Sequence, residues 1–211
     1  MRRVALDPHR PAAAVLEEAA TVIRAGGVVA IPTDTLYGLA ADPFCAAAVG
    51  RVFAIKGRSA ERALPLVAAS LRQIEDRLGP LSDAARRLAA AYWPGPLTLL
   101  VARPSTLPAS VTGGGEQVGV RVPAHAVARE LCRVCGRPLT ATSANASGAP
   151  ASADPDQVER TMSAVDLLLD AGPTPGGPPS TIVDVGGGGE IRLVRAGAIA
   201  WDDVRACVER R

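Results

Sequence analysis

PAAAVLEEAATVIRAGGVVAIP, residues 11–32, holds the pattern on which the fold turns. Val15, Ala19, Val22 and Ile23 recur at helical spacing, and Gly26-Gly27 ends that run. The four apolar residues VVAI (28–31) are too short for a helix and suit a fully buried strand, closed by Pro32. A helix that stops on glycine and hands over to a buried strand is the repeating unit of a layered α/β protein.

The same alternation continues downstream. PTDTLYGLAADP (32–43) is polar and broken by glycine, and feeds a helix over about 45–55. LPLVAA (64–69) reads as a strand, Ser70 as a helix cap, and SDAARRLAAAYW (82–93) as a long helix stopped by WPGP. LTLLVA (97–102) and VGVRV (118–122) are strands on either side of the loop at Gly113-Gly114-Gly115, followed by a helix over AHAVARELCRVC (124–135) and a strand over PLTAT (138–142). DPDQVERTM (154–162) is a short helix, DLLLD (166–170) a strand and PTPGGPPS (173–180) a loop. STIVDV (180–185) and IRLVR (191–195), joined by GGGGE, form a hairpin before a closing helix over AIAWDDVRACVERR. Strands interleaved with helices, plus one hairpin, predict an α/β fold with a twisted mixed parallel and antiparallel sheet flanked by helices. No repeat and no linker interrupts the pattern, so residues 1–211 are expected to form a single domain without a C-terminal extension domain.

Composition narrows the function classes. Hydrophobic residues make up 48% and aromatic ones only 3%, so the core must be built of Ala, Val, Leu and Ile. A formal net charge of +2 is too weak to mark a nucleic-acid binder and compatible with one. No apolar run reaches the roughly 18 to 20 residues of a membrane span. The basic start Met1-Arg2-Arg3 runs into Asp7, Pro8 and His9 instead of an apolar signal core, so a soluble, cytoplasmic protein without membrane contact is expected. Cys132 and Cys135 form a CxxC pair, yet they fall in a helix's last turn before Gly136 and Pro138, where the helix dipole disfavours a thiolate. Cys45 and Cys207 stand alone and offer no second ligand pair with His9 and His125, so these are read as ordinary thiols and no protein-held metal is expected.

Polar groups collect where the predicted strands end. PTDT follows VVAI, Arg121 ends VGV, Thr142-Ser143-Ala144-Asn145 ends PLTA, Ser180-Thr181 opens a strand and Arg195 ends IRLV. Ligands of open α/β sheets bind outside strand ends, so these groups together would line one pocket rich in hydroxyl and guanidinium groups, suited to an anionic ligand such as a nucleotide. Neither GxxxxGK[ST] nor GxGxxG is present, and no serine sits in GxSxG. An enzyme built this way works without a protein nucleophile, by holding reactants together and neutralising developing negative charge. Lys56, the one lysine among 23 Lys and Arg, has two readings. It is a chance survivor of an arginine-rich composition, or a site that needs a compact point charge where a planar fork does not fit.

The joint order of these segments resembles the YrdC family, the threonylcarbamoyl-AMP synthases that begin threonylcarbamoyl-adenosine modification of tRNA. GGVVAIPTDTLYGLAADP, IKGRSAERALPLVAAS, WPGPLTLLV, VGVRVP-H, PLTATSANASG, STIVDV and VRAGAI stand in family order over roughly residues 20–200. The resemblance implies a concave, positively charged cavity and a reaction joining L-threonine, bicarbonate and ATP into threonylcarbamoyl-AMP and diphosphate, a nucleotidyl transfer. The threonine amine captures carbon dioxide as a carbamate, whose oxygen attacks the α-phosphate, with Mg²⁺ accompanying ATP on the leaving diphosphate.

The resemblance further implies that Thr35, Arg121 and Thr181 bind L-threonine, with Arg121 as the carboxylate partner. Lys56, Arg58, Arg62, Ser143, Asn145, Ser152 and Arg195 bind the nucleotide, Lys56 and Arg58 stabilising charge during transfer, and Asp34 approaches the metal or the amine. Proteins that transfer the threonylcarbamoyl group to tRNA are the implied partners. Where many members read KGRPxxNPLxVH, this sequence has Ser59 for the proline, Arg62 for the asparagine and Val67 at the histidine position. Two rivals stand beside the synthase. One is a paralogue of the same fold acting on another, carbamoyl-type substrate, and the other is a protein that binds RNA weakly through the cavity, which the 3% of aromatic residues disfavours.

Overall fold

The computed structural model describes residues 1–57, 62–186 and 190–209. The chain opens with β1 (Arg2–Ala5). Four residues carry too little pattern to be read as a strand. What fixes them is Arg3, whose guanidinium reaches Asp156, Glu159 and Asp170, each at 2.7 Å. α1 (Ala13–Arg24) buries Leu16, Ala19, Ala20 and Ile23 on one face, and β2 (Val29–Ile31) is buried along its whole length. β3 (Gly38–Ala40) runs antiparallel to β2 inside the stretch expected to be a polar loop. α2 (Ala46–Lys56) ends on Gly57, whose positive φ of 60° closes the helix without a Cβ penalty.

β4 (Leu66–Val67) precedes α3 (Leu71–Leu78), where the Ser70 hydroxyl accepts from Gln73 N as expected of a cap. Ser82 caps α4 (Asp83–Tyr92) in the same way. Then come β5 (Leu97–Ala102), β6 (Gln117–Arg121) and α5 (Ala126–Cys135). The strand expected at 138–142 is two, β7 (Leu139–Thr140) and β8 (Thr142–Ser143). α6 (Pro155–Thr161), β9 (Leu167–Asp170), β10 (Thr181–Asp184), β11 (Arg192–Arg195) and α7 (Trp201–Glu209) complete the chain.

Among the described residues the strands form two mixed sheets, in the orders β1-β9-β2-β3-β8 and β11-β10-β5-β6-β4-β7. Ala141 is where the chain leaves one sheet for the other. β7 pairs antiparallel with β4, Ala141 N donates to Pro65 O, and β8 then pairs antiparallel with β3. No helical or strand period marks such a crossing, so 138–142 reads as one strand from sequence. In the first sheet the side chains alternate between two cores. Val29, Ile31, Leu167 and Leu169 pack with α1 and α5, while Val28, Ala30, Leu39 and Leu168 join the larger core. Leu97, Leu99, Val118, Val120 and Val183 of the second sheet enter that larger core with Ala85 and Leu88 of α4 and Val204 of α7. The opposite face of the second sheet is left to the site. No helix among the described residues is long and apolar enough to cross a membrane.

Candidate functional site

Alternation along the strands of the second sheet puts Thr98 and Leu100 of β5, Gly119 and Arg121 of β6, Ile182 of β10 and Arg195 of β11 on the face away from the core. Register makes them neighbours: Ile182 is paired with Thr98 and with Arg195, Leu100 with Gly119, and Arg121 with Val67. They form the floor of a cavity of about 590 Å³, within the size range of small-molecule sites. The walls are Thr33 and Thr35 to Gly38 from the turn between β2 and β3, Ala141 to Ser143 from the crossing between sheets, and Pro179-Ser180 ahead of β10. Gly119 is needed for a flat floor, since a Cβ there would stand 3.2 Å from Thr98 Cγ2.

Two guanidinium groups enter this space. Arg121 is buried and donates through Nη2 to Asp34 Oδ1 at 2.7 Å. Burial lowers its pKa, the Asp34 carboxylate opposes that shift and the charge of Arg195 adds to it. Arg195, exposed at the end of β11, donates to Ser180 O from both Nε (3.3 Å) and Nη2 (2.8 Å), and partial desolvation lowers its pKa too. No carboxylate among the described residues forms an ion pair with Arg195. Two cations within reach of each other, compensated by one carboxylate, favour an anionic ligand.

The turn that carries Thr35 is built from its own hydroxyls. Thr33 Oγ1 donates to Leu36 O at 2.7 Å and accepts from the backbone N–H of Thr35 and Leu36. The segment 172–176 holds it from outside: Thr35 O accepts from Gly176 N at 2.8 Å and from Thr174 Oγ1 at 2.9 Å. The fully buried Tyr37 hydroxyl donates to Gly172 O at 2.7 Å, and burial pushes its pKa up to about 12.

Of the residues that the sequence nominates, Thr35, Arg121, Ser143 and Arg195 line the cavity. Lys56 lies behind the wall, 3% exposed, with Nζ donating to Ser143 O (2.5 Å), Asn145 O (2.8 Å) and Asn145 Oδ1 (3.2 Å). Asn145 also accepts from the Ser143 hydroxyl through Oδ1. Ser147 N donates to Lys56 O, which ties this loop to the end of α2. Ser152 is buried, its hydroxyl within donating distance of Gln157 Oε1 (2.8 Å) and of Asp154 O (3.0 Å). Thr181 is fully buried, its hydroxyl donating to Ile199 O and accepting from Ile199 N. Arg62 is exposed, and Arg58 lies outside the described residues.

Thr33 of PTDT and Ser180, both at strand ends expected to meet at one pocket, line the cavity, and Thr98 lines it without having been nominated from the sequence. Thr98 carries a signal in hindsight, as the one hydroxyl within an otherwise apolar strand, where a buried polar group must find a partner. Val67 also lines the cavity. Cys132 and Cys135 are buried free thiols far from use as nucleophiles, since burial pushes both pKa values up, that of Cys135 to about 11. Among the described residues no group of three or more His, Cys, Asp or Glu is placed to hold a metal ion.

The Sua5/YciO/YrdC family, described as "Telomere recombination", matches residues 21–197. A threonylcarbamoyl-AMP synthase of Pyrococcus abyssi is 37% identical over 191 residues, which cover 90% of this chain and 56% of that relative. One of Thiobacillus denitrificans is 38% identical over 170 residues, covering 81% of this chain and 90% of the relative. Among solved structures, that of P. abyssi Sua5 complexed with L-threonine superposes with a TM-score of 0.91 at 33% identity, covering 99% of this chain and 61% of that one. The chain therefore spans little more than half the length of the Pyrococcus relative.

Proposed function

The chain belongs to the Sua5/YciO/YrdC family, and on that premise we propose that it is a threonylcarbamoyl-AMP synthase, a nucleotidyltransferase that joins L-threonine, bicarbonate and ATP. The observation that carries this reading is the cavity floor, where Arg121 and Arg195 converge with the hydroxyls of Thr35, Thr98, Ser143 and Ser180 on one space. Such a lining offers hydrogen-bond donors and positive charge to two anionic substrates at once and holds no nucleophile of its own.

Arg121, pinned by Asp34 through one nitrogen, keeps further N–H donors for the threonine carboxylate, the ligand named for the Pyrococcus structure. Arg195 and the Ser143 loop take the triphosphate. Val67 gives an apolar wall at the point where the family more often has histidine. The carbamate formed from the threonine amine and carbon dioxide attacks the α-phosphate and diphosphate leaves. The protein's part is to align the two oxygens and balance the charge. Mg²⁺ would enter as part of the ATP substrate, held mainly by phosphate oxygens and water, since Asp34, the carboxylate beside Arg121, is engaged by that guanidinium. Downstream, a threonylcarbamoyl-transfer protein acting on tRNA would consume the product.

The test is incubation with ATP, bicarbonate and L-threonine while diphosphate is measured. The reading expects release only with all three present. Release that persists without L-threonine would instead favour a paralogue with another acceptor.

A further inference from the structure

Thr98 and Ser180 face each other across the cavity floor, Oγ1 to Oγ 2.8 Å, both buried. Arg195 sits on the same pair: its Nη2 donates to Ser180 Oγ at 3.2 Å and to Ser180 O at 2.8 Å. Register sets this up, because Ile182 is the strand partner of both Thr98 and Arg195. The hydroxyl hydrogens can be counted. Two hydroxyls own two protons, and the bond between them uses one. If Ser180 donates to Thr98, the Thr98 proton is left over. If Thr98 donates, Ser180 accepts from both neighbours and keeps its own. Either way one O–H donor remains for the cavity beside a guanidinium that has no carboxylate ion pair among the described residues.

We propose that Thr98 is a positioning residue for a substrate oxyanion: it fixes the Ser180 hydroxyl and, through it, the Arg195 fork, so that the spare O–H and the guanidinium meet one anionic oxygen together. This rests on the synthase reading for the identity of the anion, which is a phosphate of ATP or the carboxylate of L-threonine. Thr98→Val keeps the shape and removes the hydroxyl. Thr98→Ser keeps the hydroxyl and removes a methyl.

The experiment titrates wild type and both variants separately with ATP and with L-threonine, and follows KM and kcat for diphosphate formation with each substrate varied. Thr98→Val is expected to weaken the substrate held there about tenfold, the equivalent of about 1.4 kcal/mol, mainly in KM. Its unfolding midpoint should stay at the wild-type value, and Thr98→Ser should restore binding. Loss in the ATP titration assigns the oxyanion to a phosphate, and loss in the threonine titration assigns it to the carboxylate. Should Thr98→Val fold poorly, Ser180→Ala serves instead, because it removes the hydroxyl that Thr98 fixes while Arg195 keeps its bond to Ser180 O, and it should weaken the same substrate. Wild-type affinity for both substrates in the Val variant, or a loss that Thr98→Ser does not repair, overturns the proposal. Binding of both substrates without any diphosphate release by the wild type would overturn the synthase reading alone and leave the Thr98 titrations interpretable.

Discussion

Replacing Lys56 by methionine separates two roles that an ammonium beside a nucleotide site can have. Lys56 Nζ reaches two backbone carbonyls and one amide oxygen of the 143–145 loop, and the side chain is 3% exposed. A hydrogen bond with one charged partner contributes about 1.5 to 3 kcal/mol, so losing the two carbonyl bonds alone costs about 3 to 6 kcal/mol. Methionine fills most of the volume and avoids desolvating a charge, which places the net effect toward the lower end. For a chain of this size the lower end still shifts the unfolding midpoint by on the order of 10 °C. The loop that presents Ser143 to the cavity would lose its fixed position, so ATP binding should fall with stability. Lys56→Arg keeps the charge, but a planar fork is too wide for three oxygens gathered around one atom. Diphosphate formation should drop at least tenfold, about 1.4 kcal/mol in the barrier, with a smaller loss of midpoint. Thermal unfolding and ATP titration of both variants decide the matter. A methionine variant that unfolds at the wild-type midpoint yet binds no ATP would refute the loop-anchoring role and return the ammonium to direct phosphate contact. Wild-type behaviour of the arginine variant would make the lone lysine a compositional accident.

Arg121→Ala should weaken L-threonine by roughly 1.5 to 3 kcal/mol and ATP by less. Isothermal titration with each ligand checks this, and equal losses would contradict the carboxylate assignment. Cys132→Ser with Cys135→Ser should leave activity and metal content unchanged at a modest stability cost, and neither native thiol should react with a disulfide reagent at neutral pH before unfolding. His125 caps α5 through Nδ1, which accepts from Val127 N and so needs to be unprotonated, and burial lowers its pKa below 6.5 against the opposing charge of Asp34. The unfolded chain therefore takes up a proton first, and stability should fall as pH drops below about 6.5 and level off below the folded-state value. His125→Asn, which keeps a capping acceptor, should flatten that slope in urea unfolding measured across pH.

The helices and the long strands were legible in the sequence because each carries its own period over enough residues. Ser70 and Ser82 cap α3 and α4 as their types suggest. What escaped was set by contacts distant in sequence. β1 depends on Arg3 meeting carboxylates more than 150 residues away. β3 is three residues within a stretch whose polarity belongs to the turn before it. The crossing at Ala141 exists only because β4 and β3 offer open edges in two different sheets.

The candidate site shows the same boundary at the scale of single residues. Arg121 and Arg195 could be found because a guanidinium at a strand end has few structural uses. Ser180 and Thr181 cannot be separated by residue type, as both are small hydroxyls at the start of one strand. Side-chain alternation separates them: Ser180 and Ile182 face the cavity, whereas Thr181 and Val183 are turned away, and Thr181 spends its hydroxyl on Ile199. Which of two adjacent residues faces the floor is fixed by the pairing of Ile182 with Thr98 and of Thr181 with Leu97. A shift of that register by one residue would turn Ser180 toward the core and Thr181 toward Arg195. The chemistry of the site is therefore written in residue types, but its address is written in the register between β5 and β10, which depends on the core packing of Leu97, Leu99 and Val183 on the opposite face.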